Sequence, residues 1–265
     1  MRVIFFLVLW TGNWLCFSQE ITTEFVTKIP LDADTFIGVD DLGNIYYLQN
    51  NTLHKKEVSK VYSYTNTLLG KITSVDIKNP LKILVFYRDF NTILFLDNKL
   101  NELTNPINFL EESIAKNMNA VSLSSNNNLW MYSNDDNTLA LWNHQSKKII
   151  FISQPLQFYK EKFKPTFIVS SYKEVCVFNN ETALFFNEFG TYINNISLNE
   201  TDQLHYNNNQ LFGVEENTIY QYQNGLSKKV LLSDKDISIK SFYANKDHLY
   251  IFDGSSIFVF KFLKI

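Results

Sequence analysis

Cysteine is almost missing from this chain: 265 residues hold two, Cys16 and Cys176. That leaves no disulfide framework and no cysteine-rich zinc site to build on. Glycine is scarce as well, with 8 residues and no cluster among them, so a Gly-rich phosphate loop is excluded. A Gly-x-Ser-x-Gly nucleophile elbow is also missing. Charged residues make up only 19% of the chain and sum to a formal −3. Without a basic surplus the chain is a poor match for nucleic acid or for an anionic membrane surface. Its four histidines, at positions 54, 144, 205 and 248, lack zinc-ligand spacing. The acidic row Asn134-Asp135-Asp136-Asn137 lacks the turn Gly and closing Glu of an EF-type calcium loop. No cofactor is implied.

Apolar and aromatic residues are plentiful. The chain is 45% hydrophobic and carries 23 Phe, 14 Tyr and 4 Trp, which excludes disorder and suffices for a substantial core. The N-terminus runs Met1-Arg2, then an apolar stretch from Val3 to Trp10, then a polar segment reaching Ser18. One basic residue, a short apolar region and a small residue at Ser18 predict a secretory signal peptide over 1–18. Cys16 follows Trp14-Leu15 rather than the small residues of a lipobox, which disfavours lipidation. Cys176, within Val175-Cys176-Val177-Phe178, reads as a buried thiol filling a small apolar position. An exported chain free of disulfides, rich in Asn, Lys, Ile and Phe, suits a bacterial periplasm or cell surface.

A phrase recurs along the rest of the chain: a polar pair, Thr or Ser, an aliphatic residue, then apolar and aromatic residues in alternation. Its copies begin at Asn51-Thr52-Leu53, Asn91-Thr92-Ile93, Asn137-Thr138-Leu139, Glu181-Thr182-Ala183, Asn217-Thr218-Ile219 and Ser255-Ser256-Ile257. They lie roughly 36 to 46 residues apart, the spacing of blades or solenoid units. Each copy is preceded by a second apolar run, such as Leu129-Trp130-Met131-Tyr132, with Asn, Asp or Gly between the two. Those residues tolerate positive φ, so each pair of runs predicts a β-hairpin. Further runs before and after, clearest in the unit from Ala120 to Ile152, give four short strands per unit.

Six such units resemble the repeats of β-propellers, and the resemblance covers nearly all of 19–265 as one domain. Asp135-Asp136-Asn137-Thr138-Leu139-Ala140-Leu141-Trp142 is similar to the third strand of a WD-repeat blade, without the Gly-His dipeptide. Val39-Asp40-Asp41-Leu42-Gly43-Asn44-Ile45-Tyr46 resembles the Asp-x-x-Gly-Asn-x-Tyr phrase of NHL-type and related exported propellers. The resemblance implies an all-β, six-bladed propeller of four-stranded antiparallel blades. The last unit shows only three strands before the sequence ends, and Thr22–Ile29 is an unassigned strand-like run. Placing that run as the outer strand of the last blade, beside Ser256–Phe262, closes the ring and hides two sheet edges. One segment breaks the repeat: Asn108 to Lys116 has an Asn cap, early carboxylates and a late Lys, and predicts a short inserted helix.

Two groups of candidate residues follow. Asp34, Asp202 and Asp236 sit in loops that enter innermost strands, where carboxylates from several blades can converge on the axis. Phe158, Tyr159 and Phe163 mix with lysines between the third and fourth units, a composition suited to a protein interface. Three readings follow from these features. The first is a non-enzymatic scaffold module of the bacterial envelope that binds another envelope protein or a glycan. The second is a channel-site hydrolase or lyase, calcium-dependent or not, that uses the loop carboxylates. The third is a small-ligand sensor with aromatics at the channel mouth.

Overall fold

Short apolar runs bounded by turn residues build the strands, many of them buried on both faces, as over Ile83–Tyr87 and Asn128–Ser133. The computed structural model describes residues 20–263 apart from 172, 199, 202, 208–209, 224–225 and 234–236. The leader expected over 1–18, with Cys16, and the candidates Asp202 and Asp236 lie outside the described residues. The first strand, β1, is Ile21–Pro30. It is followed by β2 (Thr35–Val39), β3 (Ile45–Gln49), β4 (Thr52–Lys56) and β5 (Val61–Tyr64), which pair in chain order as one sheet. The second sheet comprises β6 (Ser74–Asp76), β7 (Ile83–Tyr87), β8 (Thr92–Leu96) and β9 (Ile107–Asn108). The third holds β10 (Ala120–Leu123), β11 (Asn128–Ser133), β12 (Thr138–Asn143) and β13 (Lys148–Ile152), and the fourth β14 (Phe167–Ser170), β15 (Glu174–Phe178), β16 (Thr182–Asn187) and β17 (Tyr192–Ser197).

The remaining strands are β18 (Leu204–Asn207), β19 (Gln210–Glu215), β20 (Thr218–Gln223), β21 (Leu226–Leu231), β22 (Ser241–Ala244), β23 (His248–Phe252) and β24 (Ser256–Phe262). They form an eight-stranded sheet in the order β18-β19-β20-β21-β1-β24-β23-β22. It is two four-stranded antiparallel units joined through β1. The N-terminal strand runs antiparallel to β24 from Thr23 opposite Phe262 to Pro30 opposite Ser256, with a bulge between Phe25 and Thr27. The sequence places this strand beside Ser256–Phe262, and the structure pairs it there. Its first residues also run parallel to β21, Ile21 opposite Val230 and Thr22 opposite Leu231. The Thr23 hydroxyl donates to the Leu231 carbonyl at 2.8 Å, so one strand holds both units.

The repeated Asn-Thr phrase now has a physical cause. Asn51, Asn91, Asn137 and Asn217 all take left-handed φ, between 49° and 63°, in the turn before the third strand of their unit. Each side chain then reaches the connection leading to the next sheet. Asn91 donates to the Lys116 carbonyl (2.9 Å) and accepts from the Met118 amide (2.8 Å). Asn51 does the same with Gly70 and Ile72, and Asn217 with Ile237 and Ile239. Asn137 donates to the Phe163 carbonyl at 3.0 Å while its oxygen accepts the Tyr132 hydroxyl. The connections so held contribute Ile72, Met118, Phe163 and Ile237, all buried between successive sheets. Where the phrase lacks this Asn, main chain replaces it: Thr201 donates to the Asn180 carbonyl and Leu31 to the Ser255 carbonyl.

The Asp-x-x-Gly-Asn-x-Tyr phrase is a closed turn. The Asp40 carboxylate accepts from the Leu42 and Asn44 amides, the Asn44 side chain and the Tyr46 hydroxyl. Gly43 supplies the positive φ of 82° that the turn requires. Asp97 repeats the arrangement with Lys99 and Asn101, and there Leu100 takes φ 62° without a glycine. The helix expected over 108–116 shortens to a single 3-10 turn, Phe109–Glu111, capped by Asn108 as anticipated. Phe109, Ile114 and Met118 are all buried. Phe109 and Ile114, five residues apart, do not share one face of a longer helix, so the chain leaves the helix to bury both. Cys176 is fully buried, and burial raises its thiol pKa.

Two outcomes test this architecture. Asn91→Ala leaves the buried Met118 amide unpaired and keeps a side chain in left-handed φ. We expect a cost of about 1–3 kcal/mol and a melting temperature lower by about 2–12 °C, measured by thermal denaturation. Deleting residues 20–30 bares the apolar edge carrying Phe258, Phe260 and Phe262, and should give aggregation and earlier melting. A soluble monomer with unchanged melting temperature would show that β1 does not hold the two units together.

Candidate functional site: the central cavity

The first strand of every four-stranded unit faces one cavity of about 640 Å³. Ile37 comes from β2, Ser74 to Asp76 from β6, Ala120 to Ser122 from β10, Phe167 to Ser170 from β14, His205 to Asn207 from β18 and Tyr243 from β22. Each first strand pairs on one side only, with the second strand of its own sheet. Its other edge therefore presents unpaired backbone groups toward the axis, which must find partners or water.

Side chains from neighbouring first strands supply several of those partners. Asp76 accepts from the Leu123 amide (2.8 Å) and from the Ser122 hydroxyl (2.9 Å). The Lys78 ammonium donates to the Leu123 carbonyl (2.8 Å) and to the Ser170 hydroxyl (2.6 Å), and lies 3.6 Å from Asp76. Ser122 and Ser170 are within 2.9 Å of each other. One lysine, one aspartate and two serines thus tie the second, third and fourth sheets together. Burial pulls the Lys78 pKa below its ordinary value, and the Asp76 charge opposes that shift.

The opposite wall is aromatic. The His205 ring lies 4.3 Å from the Tyr243 ring, centroid to centroid. A Cβ at Gly38 would fall 2.4 Å from the Tyr243 ring, so the glycine is what lets that ring lie against β2. Nε2 of His205 stands 2.7 Å from the Ala244 carbonyl. A carbonyl only accepts, so Nε2 carries the proton and Nδ1 the lone pair. Burial lowers the His205 pKa to about 4 against a weaker upward pull from the Ala244 bond. The imidazole is neutral at pH 7. Phe167, half exposed, stacks on Phe178 at 5.6 Å and adds an aromatic face to the cavity lining.

Asp34 is not in this wall. It is exposed, and its carboxylate accepts the Asn50 amide at 2.6 Å in a hairpin turn. Of the aromatic candidates, Phe158 is 72% exposed. Tyr159 is half buried, stacked on Tyr192 and edge-on to Phe186. Phe163, at 1% exposure, is a core residue and not part of a contact surface, because Asn137 draws its backbone inward. Among the described residues no group of three His, Cys, Asp or Glu side chains is placed to hold a metal ion. Asp76, Lys78, Ser122, Ser170 and His205 belong to no motif, and only their position at the ends of first strands could have pointed to them.

No protein-family profile matches the chain, and no curated protein matches it. Solved structures do share its fold. Virginiamycin B lyase from Staphylococcus aureus aligns with a TM-score of 0.60 at 13% identity, covering 91% of this chain and 100% of that one. The WD40 domain of Pan2 from Neurospora crassa aligns at 0.57 and 12% identity, covering 88% and 76%. A chain of a mitotic checkpoint complex aligns at 0.58 and 10% identity, covering 92% and 86%. At these identities the likeness concerns the fold alone. That fold is all-β, with repeated four-stranded antiparallel sheets arranged as in β-propellers.

The His205 environment gives a pH dependence with a definite sign. The imidazole is depressed to about 4 in the fold against 6.5 in the unfolded chain. Its contribution is therefore present above about pH 6.5 and is lost as pH falls toward about 4. We expect acid destabilisation of at most about 3 kcal/mol across that window, read from urea unfolding against pH. His205→Gln, which keeps a donor for Ala244, should flatten this part of the profile. An unchanged slope would mean that His205 titrates normally in the fold.

Proposed function

We propose that this chain is a six-bladed propeller acting as a non-enzymatic scaffold module of the bacterial cell envelope. The leader over 1–18 exports it to the periplasm or cell surface, and it holds an envelope protein or a glycan on one rim of its cavity. The eight-stranded sheet counts as two blades joined by β1, and the other four sheets as one blade each. One observation carries the reading. Asp76 and Lys78 of the cavity wall form bonds between strands, while large apolar side chains on the neighbouring rim face solvent. Leu42 and Leu81, on the first-to-second strand turns of the first two sheets, are 82% and 68% exposed. Their neighbours Asp41, Lys78 and Pro80 line the cavity. An apolar side chain amid polar neighbours at a concave rim suits a binding surface.

Affinity isolation from the native envelope, with the double variant Leu42→Asp and Leu81→Asp as control, tests the reading. We expect a stoichiometric partner or glycan with the wild type and its loss with the variant, whose melting temperature should stay within about 2 °C because both sites are exposed. Turnover of a lactone or polyuronide by the purified protein would replace this reading with the channel-site enzyme.

A further inference from the structure

A second hollow, of about 310 Å³, opens beside the first-to-second strand turns of the second and third sheets. Its lining is Asn79, Lys82, Leu123, the run Ser124 to Asn128, and His144. None of these residues is acidic, and the cavity described above differs from it in that respect. Lys82 is partly buried, and its ammonium reaches only neutral partners. It donates to Asn127 Oδ1 at 2.8 Å, lies 2.6 Å from His144 Nε2, and sits 4.6 Å above the Phe95 ring. The four ion pairs among the described residues involve Lys55, Lys78, Lys116 and Lys147, and Lys82 is in none of them. An ammonium cannot accept, so His144 Nε2 offers its lone pair and the ring proton resides on Nδ1. Burial, then Lys82 and Lys147, lower the His144 pKa to about 4, which keeps that ring neutral.

We propose that this hollow binds the carboxylate of an acidic saccharide, with Lys82 as the counter-charge. A cation partly shielded from water and paired only with neutral groups is incompletely compensated, and a bound carboxylate adds a charge-assisted hydrogen bond to it. The remaining lining favours a polyhydroxyl body over a bare anion. The Asn79, Asn127 and Asn128 amide oxygens each keep a second lone pair beyond the bonds they accept from Leu81, Lys82 and Asn143, and a Ser hydroxyl both donates and accepts, which matches the hydroxyls of a sugar ring. The volume lies at the lower end of ligand pockets, which suits a single sugar unit. The turn that forms the wall is a closed, left-handed one. Asn126 and Asn127 are both left-handed, and the Asn128 amide closes the turn on the Ser125 carbonyl at 2.9 Å.

Isothermal titration calorimetry on the full chain tests this, with glucuronate as the probe and glucose and inorganic phosphate as comparison arms. We expect glucuronate to bind at least about tenfold more tightly than glucose, the value of one charge-assisted hydrogen bond. Phosphate should displace it only at much higher concentration. Lys82→Met should weaken glucuronate by at least about tenfold, and Lys82→Arg should retain it. Asn127→Gly keeps the left-handed turn while removing an amide, and should also weaken binding, so the test survives if Lys82→Met misfolds. The Leu42→Asp, Leu81→Asp variant should bind glucuronate normally, which separates this site from the rim. Equal affinity for glucose and glucuronate, displacement by phosphate at matching concentration, or unchanged binding by Lys82→Met would each overturn the proposal.

Discussion

The structure depends on one asparagine contact made over and over. A propeller-like ring has strong pairing within each sheet and no backbone ladder between sheets, so the angle between neighbours must be set by something else. Here it is set by an Asn in left-handed conformation before the third strand, whose amide grips the strand-like connection to the next sheet. Asn51, Asn91 and Asn217 each offer one donor and one acceptor to backbone groups two residues apart. The contact imitates a rung of a ladder across the gap. It fixes the buried residue at its far side, Ile72, Met118 or Ile237, and that residue fills the space between sheets. The scarcity of glycine follows from the same choice. Asparagine tolerates positive φ, and unlike glycine it uses its side chain there.

Closure is the second constraint. Sheets arranged around an axis leave two open edges where the chain begins and ends, and β1 occupies the space between them. It pairs with β24 along most of its length and with β21 over its first two residues. Phe25 meets Phe260 edge-on at 5.7 Å, and Lys28 lies over the Phe258 ring. The parallel contact with β21 adds a lateral bond that a simple outer strand does not make. It turns the last two units into a single eight-stranded sheet.

The sequence made the strands and their repetition legible because both rest on local patterning, short apolar runs and turn residues. It also showed the Asn-Thr phrase, but as punctuation, since nothing local reveals that the Asn side chain reaches a residue 19 to 27 positions away. The helix over 108–116 was half legible: the Asn108 cap is local and correct, while the length was decided by the burial of Ile114 and Met118. The cavity was the least legible part. Asp76, Ser122 and His205 stand at the same register position of their first strands but as three different residue types, and Lys78 and Ser170 lie outside that position, so no motif unites them. Asp34, chosen for its place in an entering loop, instead closes a hairpin with Asn50.

The charges in the cavity follow from the same edge constraint. A first strand paired on one side only turns its other row of amides and carbonyls toward the axis. Asp76 takes the Leu123 amide, and Lys78 takes the Leu123 carbonyl. Across the cavity, His205 and Asn207 both donate to the Ala244 carbonyl. In each case a side chain near the end of one first strand covers the edge of the next. An ionised or titratable group in such a wall is therefore explained by what it covers, before any chemistry is asked of it. For Lys78 and for the Nε2 proton of His205, the burial-lowered pKa goes with a donor held on an edge carbonyl. Lys82 differs on this point. Its partners are two side chains and a ring, it covers no edge, and no carboxylate answers its charge. Among the described residues, that contrast separates Lys82 from the cations of the cavity wall.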